Sequence, residues 1–301
     1  MLKKELNMES KYKEIWKSAL EKKEEPKYFT GIEEIYYEDF KLFRDDFNQK
    51  RAENLVEIFL TGKILIIKNA FNQNFVERLK KNVKNFWKNN PDTFHKMVEG
   101  CPDFHRVITP KLAENYAFGA VRHMTYFFPW NNDPCKINEE IYERWRYCKY
   151  VSGLKFDEFE KNTPKDGPVD RIQIGVYPPE AGGIERHFDP VANHPLIACG
   201  YLSSRKNKDF SNGGLFFIDK NNKKVDVEKF IDVGDLSLFY GTIEHGVNSI
   251  VMHEKISFEN YDWHSGLGRW WMGLFTADSD MMQKRNTTVS LEKYHSKKFK
   301  S

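Results

Sequence analysis

The 301-residue sequence predicts a mainly β protein with flanking helices, built as a barrel or jelly roll. Between about residues 168 and 278, short alternating strands are separated by glycine, asparagine and aspartate. Segments with apolar positions three or four residues apart, the period of an amphipathic helix, precede this region. Hydrophobic residues make up 40% of the chain, so a chain of this length can bury a substantial core.

Residues 1–60 are predicted to form an N-terminal helical segment of the single domain. The clearest helix spans residues 10–24 and should pack on the outside of the core through an apolar stripe of Tyr12, Ile15, Trp16 and Leu20. This end of the chain has no apolar run of signal-peptide length, and nowhere does an apolar run reach the length of a membrane span. We therefore expect a cytoplasmic, soluble protein without a membrane partner.

Residues 61–280 are predicted to form the core with its supporting helices. The β-branched run GKILIIKNAF (62–71) indicates a buried strand, and residues 72–89 follow with a helical period. Residues 91–135 lack a clean period and are interpreted as loops and irregular strands. Residues 136–154 predict another helix, which ends near Gly153.

The strand series begins with DRIQIGVYPP (170–179), in which two faces alternate. Ile172, Ile174 and Val176 share one face, and Arg171, Gln173, Gly175 and Tyr177 share the other. The segments GGLFFID (213–219), VGDLSLFYGTIEHGV (233–247) and GRWWMGLFTAD (268–278) continue the series. Many short strands with turn residues at regular spacing favour a closed β architecture.

Neither the net charge nor the cysteine spacing indicates a nucleic-acid partner or a disulfide framework. The net charge of +3 arises from 47 basic and 44 acidic residues, which is too balanced to indicate a nucleic-acid partner. Four irregularly spaced cysteines predict reduced thiols. Residues 281–301 form a basic tail, interpreted as a solvated chain end or, alternatively, a basic docking arm; its charged residues from 284 onward are Lys284, Arg285, Glu292, Lys293, Lys297, Lys298 and Lys300.

The segment GGIERHFDPVANHP (182–195) carries the main chemical signal. In an extended strand the side chains of His187 and Asp189 point to the same side and can hold one metal ion. The strongest third ligand is His245, 56 residues beyond Asp189, with Gly246 leaving room for close approach. Two imidazoles and one carboxylate leave the opposite coordination positions open, an arrangement suited to non-haem Fe(II) oxygenases.

With these motifs the sequence resembles the Fe(II)/2-oxoglutarate-dependent dioxygenases, and more loosely their phytanoyl-CoA dioxygenase-like members. The likeness covers roughly residues 60–280 and implies a double-stranded β-helix with His187, Asp189 and His245 as iron ligands. It also implies that Arg269, in GRWWMGLF, anchors the far carboxylate of 2-oxoglutarate. Gln173 and Tyr177, on the polar face of their strand, are expected to line the co-substrate site.

The resemblance implies hydroxylation of an unactivated C–H bond, with 2-oxoglutarate and O2 consumed and succinate and CO2 released. Because Asp189 is a carboxylate, hydroxylation is expected over halogenation; desaturation or ring closure stays open. Arg269 lies 24 residues past His245, whereas many members place this arginine about ten past. Residues 251–267 are therefore an insertion at the barrel mouth, acting as a substrate lid, or else another residue is the anchor.

Two alternatives stay open at this point. A cupin-like metal enzyme would use the same three ligands without a keto acid, and a non-catalytic β-barrel binding protein would need no catalytic metal. The aromatic residues of 104–130 favour a closed pocket for a small-molecule substrate. Arg122 and His123 either bind an acidic substrate or belong to a packed segment.

Overall fold

The structure is a computed structural model that describes residues 9–115 and 119–291. The α-helices of these residues are α1 Tyr12–Leu20, α2 Tyr37–Asp45, α3 Gln49–Leu60, α4 Gln73–Asn89, α5 Pro110–Ala113 and α6 Asn138–Val151. The strands are β1 Gly31–Tyr36, β2 Lys63–Lys68, β3 Phe104–Ile108, β4 Ala120–Phe127, β5 Pro168–Tyr177, β6 Gly183–Phe188, β7 Leu196–Tyr201, β8 Asn212–Ile218, β9 Lys224–Asp226, β10 Leu236–Tyr240, β11 His245–Val251, β12 Arg269–Asp278 and β13 Val289–Ser290.

The strands form a larger and a smaller sheet, which are joined where β4 pairs with both β5 and β6. The larger sheet runs β1-β2-β10-β7-β12-β5-β4-β3, and the smaller sheet runs β13-β6-β11-β8-β9. The eight core strands are β5 to β12. Their order is β5-β12-β7-β10 in the larger sheet and β6-β11-β8-β9 in the smaller sheet. This antiparallel order is that of a double-stranded β-helix, so the predicted fold class is confirmed.

Helices cover the outer face of the larger sheet. Tyr12, Ile15 and Trp16 of the predicted stripe are buried against α3 and α6, whereas Leu20 is 38% exposed. Ile172, Ile174 and Val176 of β5 point into this same core, as their alternation predicts. The opposite face of β5 is thereby turned toward the space between the two sheets.

The predicted N-terminal helical segment, residues 1–60, contains the strand β1 in addition to its helices. This strand pairs in parallel with β2 over its full length, from Gly31 opposite Lys63 to Tyr36 opposite Lys68. Its apolar residues Ile32 and Ile35 lie three apart, a helical spacing, so backbone pairing with β2 overrides the local pattern. The charged pair Lys63–Glu33, 2.7 Å apart, lies at this edge of the sheet.

Residues 91–135, predicted to be loops and irregular strands, contain the regular strands β3 and β4. The two strands pair with each other, and β4 also pairs with β5 over His123–Phe127. Most residues of β4 are buried on both faces, so its sequence lacks the polar–apolar alternation that marks a half-exposed strand.

The four cysteines form no disulfide bond. Cys101, Cys135, Cys148 and Cys199 are free thiols, as predicted. Across residues 9–115 and 119–291, no helix has the length and apolar character needed to cross a membrane. Cytoplasmic location stays a prediction. Glu292 and the four lysines that follow it lie outside the described residues.

A buried histidine ties α6 to the loop after β6. The Nε2 atom of His194 lies 2.9 Å from Ser152 Oγ, and that hydroxyl donates to the Cys148 carbonyl at 2.6 Å. Ser152 therefore accepts from the His194 N–H, a bond that the neutral imidazole makes. Burial, with a smaller contribution from the positive charge of Lys149, lowers the pKa of His194 to about 3.

We expect the free energy of unfolding to fall as the pH is lowered from 7 to 4. The unfolded chain protonates His194 near its ordinary pKa of about 6.5, but the folded chain does not, so acid favours unfolding by roughly 2 to 3 kcal/mol from this group. Urea unfolding over this pH range should show a shallower pH dependence for His194→Gln, which keeps a donor for Ser152. His253→Gln, at an exposed histidine, should retain the wild-type slope. Equal slopes for wild type and His194→Gln would contradict the assignment.

Candidate metal centre and cavity

His187, Asp189 and His245 converge on the inner face of the smaller sheet. His187 lies on β6 and pairs directly with His245, the first residue of β11, and Asp189 follows β6. The two imidazole rings have centroids 4.3 Å apart, and one potential ligand atom from each residue lies within 4.8 Å of the others. All three side chains are buried. The convergence predicted from the sequence is therefore present in the structure.

Backbone hydrogen bonds fix the orientation of both imidazoles. His187 Nδ1 lies 2.6 Å from the Glu185 carbonyl and His245 Nδ1 lies 2.9 Å from the Ile243 carbonyl. A carbonyl only accepts, so in each ring Nδ1 carries the proton and the Nε2 lone pair is available. These Nε2 atoms lie 4.0 and 3.6 Å from the Asp189 carboxylate oxygens. A hydrogen bond from Nδ1 to a backbone carbonyl is typical of histidines that bind a metal ion through Nε2.

The protonation states also suit a metal ion. Burial, followed by the neighbouring His245, lowers the pKa of His187 to about 4. Burial alone would raise the pKa of Asp189, but the adjacent imidazoles of His245 and His187 and the hydrogen bond from the Thr288 hydroxyl together lower it to about 2. At neutral pH the site therefore offers a neutral His187 imidazole and an ionised carboxylate, the forms that bind metals.

Thr288 is a neighbour of the site that sequence reasoning missed. Its hydroxyl donates to Asp189 Oδ1 at 2.8 Å, which leaves Oδ2 for another partner. The residues directly after it, Val289–Ser290, pair with Phe188 and His187 of β6. Thr288 is 99 positions from Asp189 and has no local motif around it, so no sequence signal could have identified it.

A cavity of about 410 Å³ lies between the two sheets and includes the three residues in its wall. This volume is within the range of small-molecule sites. Tyr177, Tyr201 and Arg269 line its inner end, and Phe94, which is 55% exposed, marks its mouth. The polar face of β5 faces this cavity, because Arg171, Gln173 and Tyr177 all line it as their alternation predicts.

Arg269 lies in the cavity wall but already has an ionic partner. Its Nε and Nη2 atoms donate to the two Glu228 carboxylate oxygens at 2.9 and 3.1 Å, and both side chains are buried. Glu228 also accepts from the Leu215 backbone N–H at 2.7 Å. The third guanidinium nitrogen, Nη1, has no acceptor among the described residues. Glu228 was missed in the sequence because it lies in a short turn without periodicity.

Gln173 and Tyr177 line different parts of the cavity. Tyr177 lies opposite Arg269 in the pairing of β5 with β12, and Gln173 lies opposite Gly273, four residues further along. Tyr177 stacks on Trp271, with ring centroids 5.8 Å apart. Only Tyr177 therefore lies beside the predicted carboxylate anchor, and a role of either residue in co-substrate binding stays a prediction.

The insertion 251–267 does not cover the cavity. None of residues 251–267 lines it. The segment packs instead on the outer side, where the Trp263 carbonyl lies 2.8 Å from His123 Nδ1 and the Gly266 carbonyl accepts from Trp270 at 2.6 Å. A role of these residues as a substrate lid stays a prediction. Of the pair Arg122 and His123, Arg122 lines the cavity and His123 faces this outer layer.

The sequence matches no family model and no curated protein. Among solved structures, the chain is similar to a Pseudomonas putida prolyl-4-hydroxylase at 14% identity, with 75% of this chain and 98% of that chain covered and a TM-score of 0.46. It is also similar to a full-length Neurospora crassa protein in complex with alpha-KG at 13% identity, with 90% and 96% covered and a TM-score of 0.47. A third similar structure is JOX2 in complex with 2OG, Fe and JA, at 13% identity, 93% and 91% covered and a TM-score of 0.43.

Proposed function

We propose that this protein is an Fe(II)/2-oxoglutarate-dependent oxygenase that hydroxylates an unactivated C–H bond of a small-molecule substrate. The overall reaction converts the substrate, 2-oxoglutarate and O2 to the hydroxylated product, succinate and CO2. The closer likeness to phytanoyl-CoA dioxygenase-like enzymes stays a prediction.

One observation carries the proposal: two histidines with fixed tautomers and one ionised aspartate meet on a buried cavity wall. His187 and His245 would ligate iron through Nε2, and Asp189 through its carboxylate. Two imidazoles and one carboxylate on one side of an ion leave room for further ligands on the other side. The fold supports the proposal, because its two sheets enclose a cavity beside these residues.

Bound iron would supply the redox chemistry with O2, and the side chains of the chain supply binding and orientation. Arg269, whose Nη1 has no acceptor among the described residues, would donate to the far carboxylate of 2-oxoglutarate, and its strand partner Tyr177 lines the same cavity. Burial of Arg269 and Tyr177 lowers the local dielectric constant, which strengthens these polar contacts. Thr288 holds Asp189 in one orientation through its hydrogen bond.

The direct test uses anaerobically purified protein with Fe(II) and 2-oxoglutarate. A keto acid bound to the metal through two oxygens gives a visible metal-to-ligand absorption band, which we expect to appear only when both are added. Metal binding without this band would exclude 2-oxoglutarate as the co-substrate.

The Arg269–Glu228 pair favours one alternative, a cupin-like metal enzyme that does not use 2-oxoglutarate. Glu228 already compensates the charge of Arg269, so the inner end of the cavity does not require a carboxylate ligand for neutrality. This alternative predicts that the same protein binds Fe(II) but that 2-oxoglutarate changes neither its spectrum nor its oxygen consumption.

We expect Thr288→Val to weaken metal binding by about 10- to 100-fold. Valine has a similar shape but no hydroxyl, so it removes the hydrogen bond that orients the Asp189 carboxylate. Calorimetric titration with Fe(II) under anaerobic conditions measures the effect. Thr288→Ser, which keeps the hydroxyl, is the matched control and should bind as wild type does; equal loss in both variants would assign the effect to packing.

A further inference from the structure

Arg171 lies at the opposite end of the cavity from Arg269. It faces Phe275 across the β5–β12 pairing, whereas Arg269 faces Tyr177. Arg171 and Tyr177 are six positions apart on β5, which corresponds to about 20 Å of extended chain. Both arginines line the same cavity, so the cavity has a guanidinium group toward each end.

Arg171 forms no ion pair with a carboxylate among the described residues, although the charge of Asp189 acts on it from a longer distance. The cavity arginines Arg269 and Arg285 form ion pairs with Glu228 and Asp280, but among the described residues no acidic oxygen lies within 4.0 Å of the Arg171 guanidinium. Burial lowers the pKa of Arg171; Tyr126 and the Asp189 carboxylate oppose this shift, whereas the positive charges of Arg122 and Arg285 add to it. A partly buried cation without a counter-ion is a site that an anionic ligand would complete.

Neighbouring side chains hold the Arg171 guanidinium in place. Its Nη2 and Nε atoms lie 2.7 and 3.0 Å from the Gln173 amide when the amide oxygen is turned toward them, which satisfies both groups. Its Nη1 atom contacts Met97 Sδ at 3.9 Å, and the guanidinium carbon lies 5.6 Å from the centre of the Tyr126 ring. The guanidinium is therefore oriented before any ligand binds, which lowers the entropic cost of binding.

Aromatic rings surround this end of the cavity. Phe104 packs against Tyr126 with centroids 4.7 Å apart and against Phe128 at 6.2 Å, and Phe94 meets Phe104 edge-on at 6.1 Å. All four rings line the cavity. A ligand here would place an apolar or aromatic body against these rings and a charged group on Arg171.

We propose that the mouth of the cavity binds a small organic acid, with Arg171 holding its carboxylate and the Phe94, Phe104, Tyr126 and Phe128 rings holding its apolar body. The assignment rests on the proposed function in one respect, because it makes this acid the substrate that is hydroxylated. We choose a monocarboxylate because Arg171 offers one guanidinium without an ion pair among the described residues, and Asp278 and Asp280 in the same wall would repel a second negative charge.

The test is calorimetric titration of the full-length protein with 3-phenylpropanoate, its neutral analogue 3-phenylpropanamide, and phenyl phosphate, with excess 2-oxoglutarate present. We expect wild type to bind the acid at least about tenfold more tightly than the amide, because only the acid pairs with a guanidinium. Arg171→Gln should lose this preference by weakening the acid and leaving the amide unchanged, and Arg171→Lys should retain part of it. Arg205→Gln, at an arginine that pairs with Asp226 outside the cavity, should bind as wild type does.

Several results would overturn the proposal. These are no binding of the acid to wild type, equal binding of acid and amide, unchanged acid affinity in Arg171→Gln, or tighter binding of phenyl phosphate than of the carboxylate. The acid–amide comparison in wild type does not depend on any variant folding correctly. Because this binding needs neither iron nor O2, its failure is distinguishable from failure of the spectroscopic test of 2-oxoglutarate binding.

Discussion

Replacement of Asp189 by alanine is expected to weaken Fe(II) binding by more than about 100-fold and to abolish 2-oxoglutarate turnover. Losing a group that merely orients a ligand costs about 10- to 100-fold, and Asp189 is itself a candidate ligand with the negative charge of the donor set. The substitution also removes the acceptor of the Thr288 hydroxyl. Anaerobic calorimetry with Fe(II) and succinate formation from 2-oxoglutarate measure the two effects.

Control variants distinguish the loss of a metal ligand from the loss of a histidine elsewhere and from unfolding. His187→Ala and His245→Ala should reproduce the Asp189→Ala phenotype, and His253→Ala, at an exposed histidine, should behave as wild type. Circular dichroism of each variant would show whether it is folded. If folded Asp189→Ala binds Fe(II) as tightly as wild type does, Asp189 is not a ligand, and the proposed metal site of His187, Asp189 and His245 is wrong.

The parts of the site that follow a local rule could be predicted from the sequence. Alternation along an extended strand places His187 and Asp189 on one side, and it also separates Ile172 and Ile174 from Gln173 on β5. His245 is not local to them, and its position follows from the pairing of β11 with β6. The sequence indicated His245 by its place at the end of a strand and by the glycine that follows it, whereas the pairing itself is visible only in the structure.

The parts that were missed depend on contacts between distant segments. Glu228 comes from a short turn and Thr288 from the chain after β12, and neither segment has a period that indicates its position. The outer position of the insertion is set by the Trp263 carbonyl meeting His123, 140 residues earlier. Backbone hydrogen bonds and buried charge pairs of this kind form only when the fold brings the partners together.

Arg269→Met is expected to weaken 2-oxoglutarate binding by about 2 to 5 kcal/mol, because a buried carboxylate loses its charged donor. The same change leaves Glu228 buried without its partner, which should lower the free energy of unfolding by roughly 3 to 5 kcal/mol. Stability and binding can be separated, because Glu228→Gln removes the competing negative charge while keeping an acceptor for the Leu215 N–H.

The double variant Arg269→Met/Glu228→Gln decides between the two roles of the pair. It leaves no uncompensated buried charge, so urea unfolding should show stability recovered relative to Arg269→Met, while titration of the visible band should show no recovery of 2-oxoglutarate affinity.

Glu228→Gln alone should bind 2-oxoglutarate more tightly than wild type, since Arg269 then keeps its full charge for the ligand. The partly exposed pair Arg205–Asp226 provides the control, because its removal should cost less than about 1 kcal/mol and leave binding unchanged. If the folded double variant binds 2-oxoglutarate as tightly as wild type does, Arg269 has only a structural role, in its ion pair with Glu228. Another residue of the cavity wall would then be the carboxylate anchor.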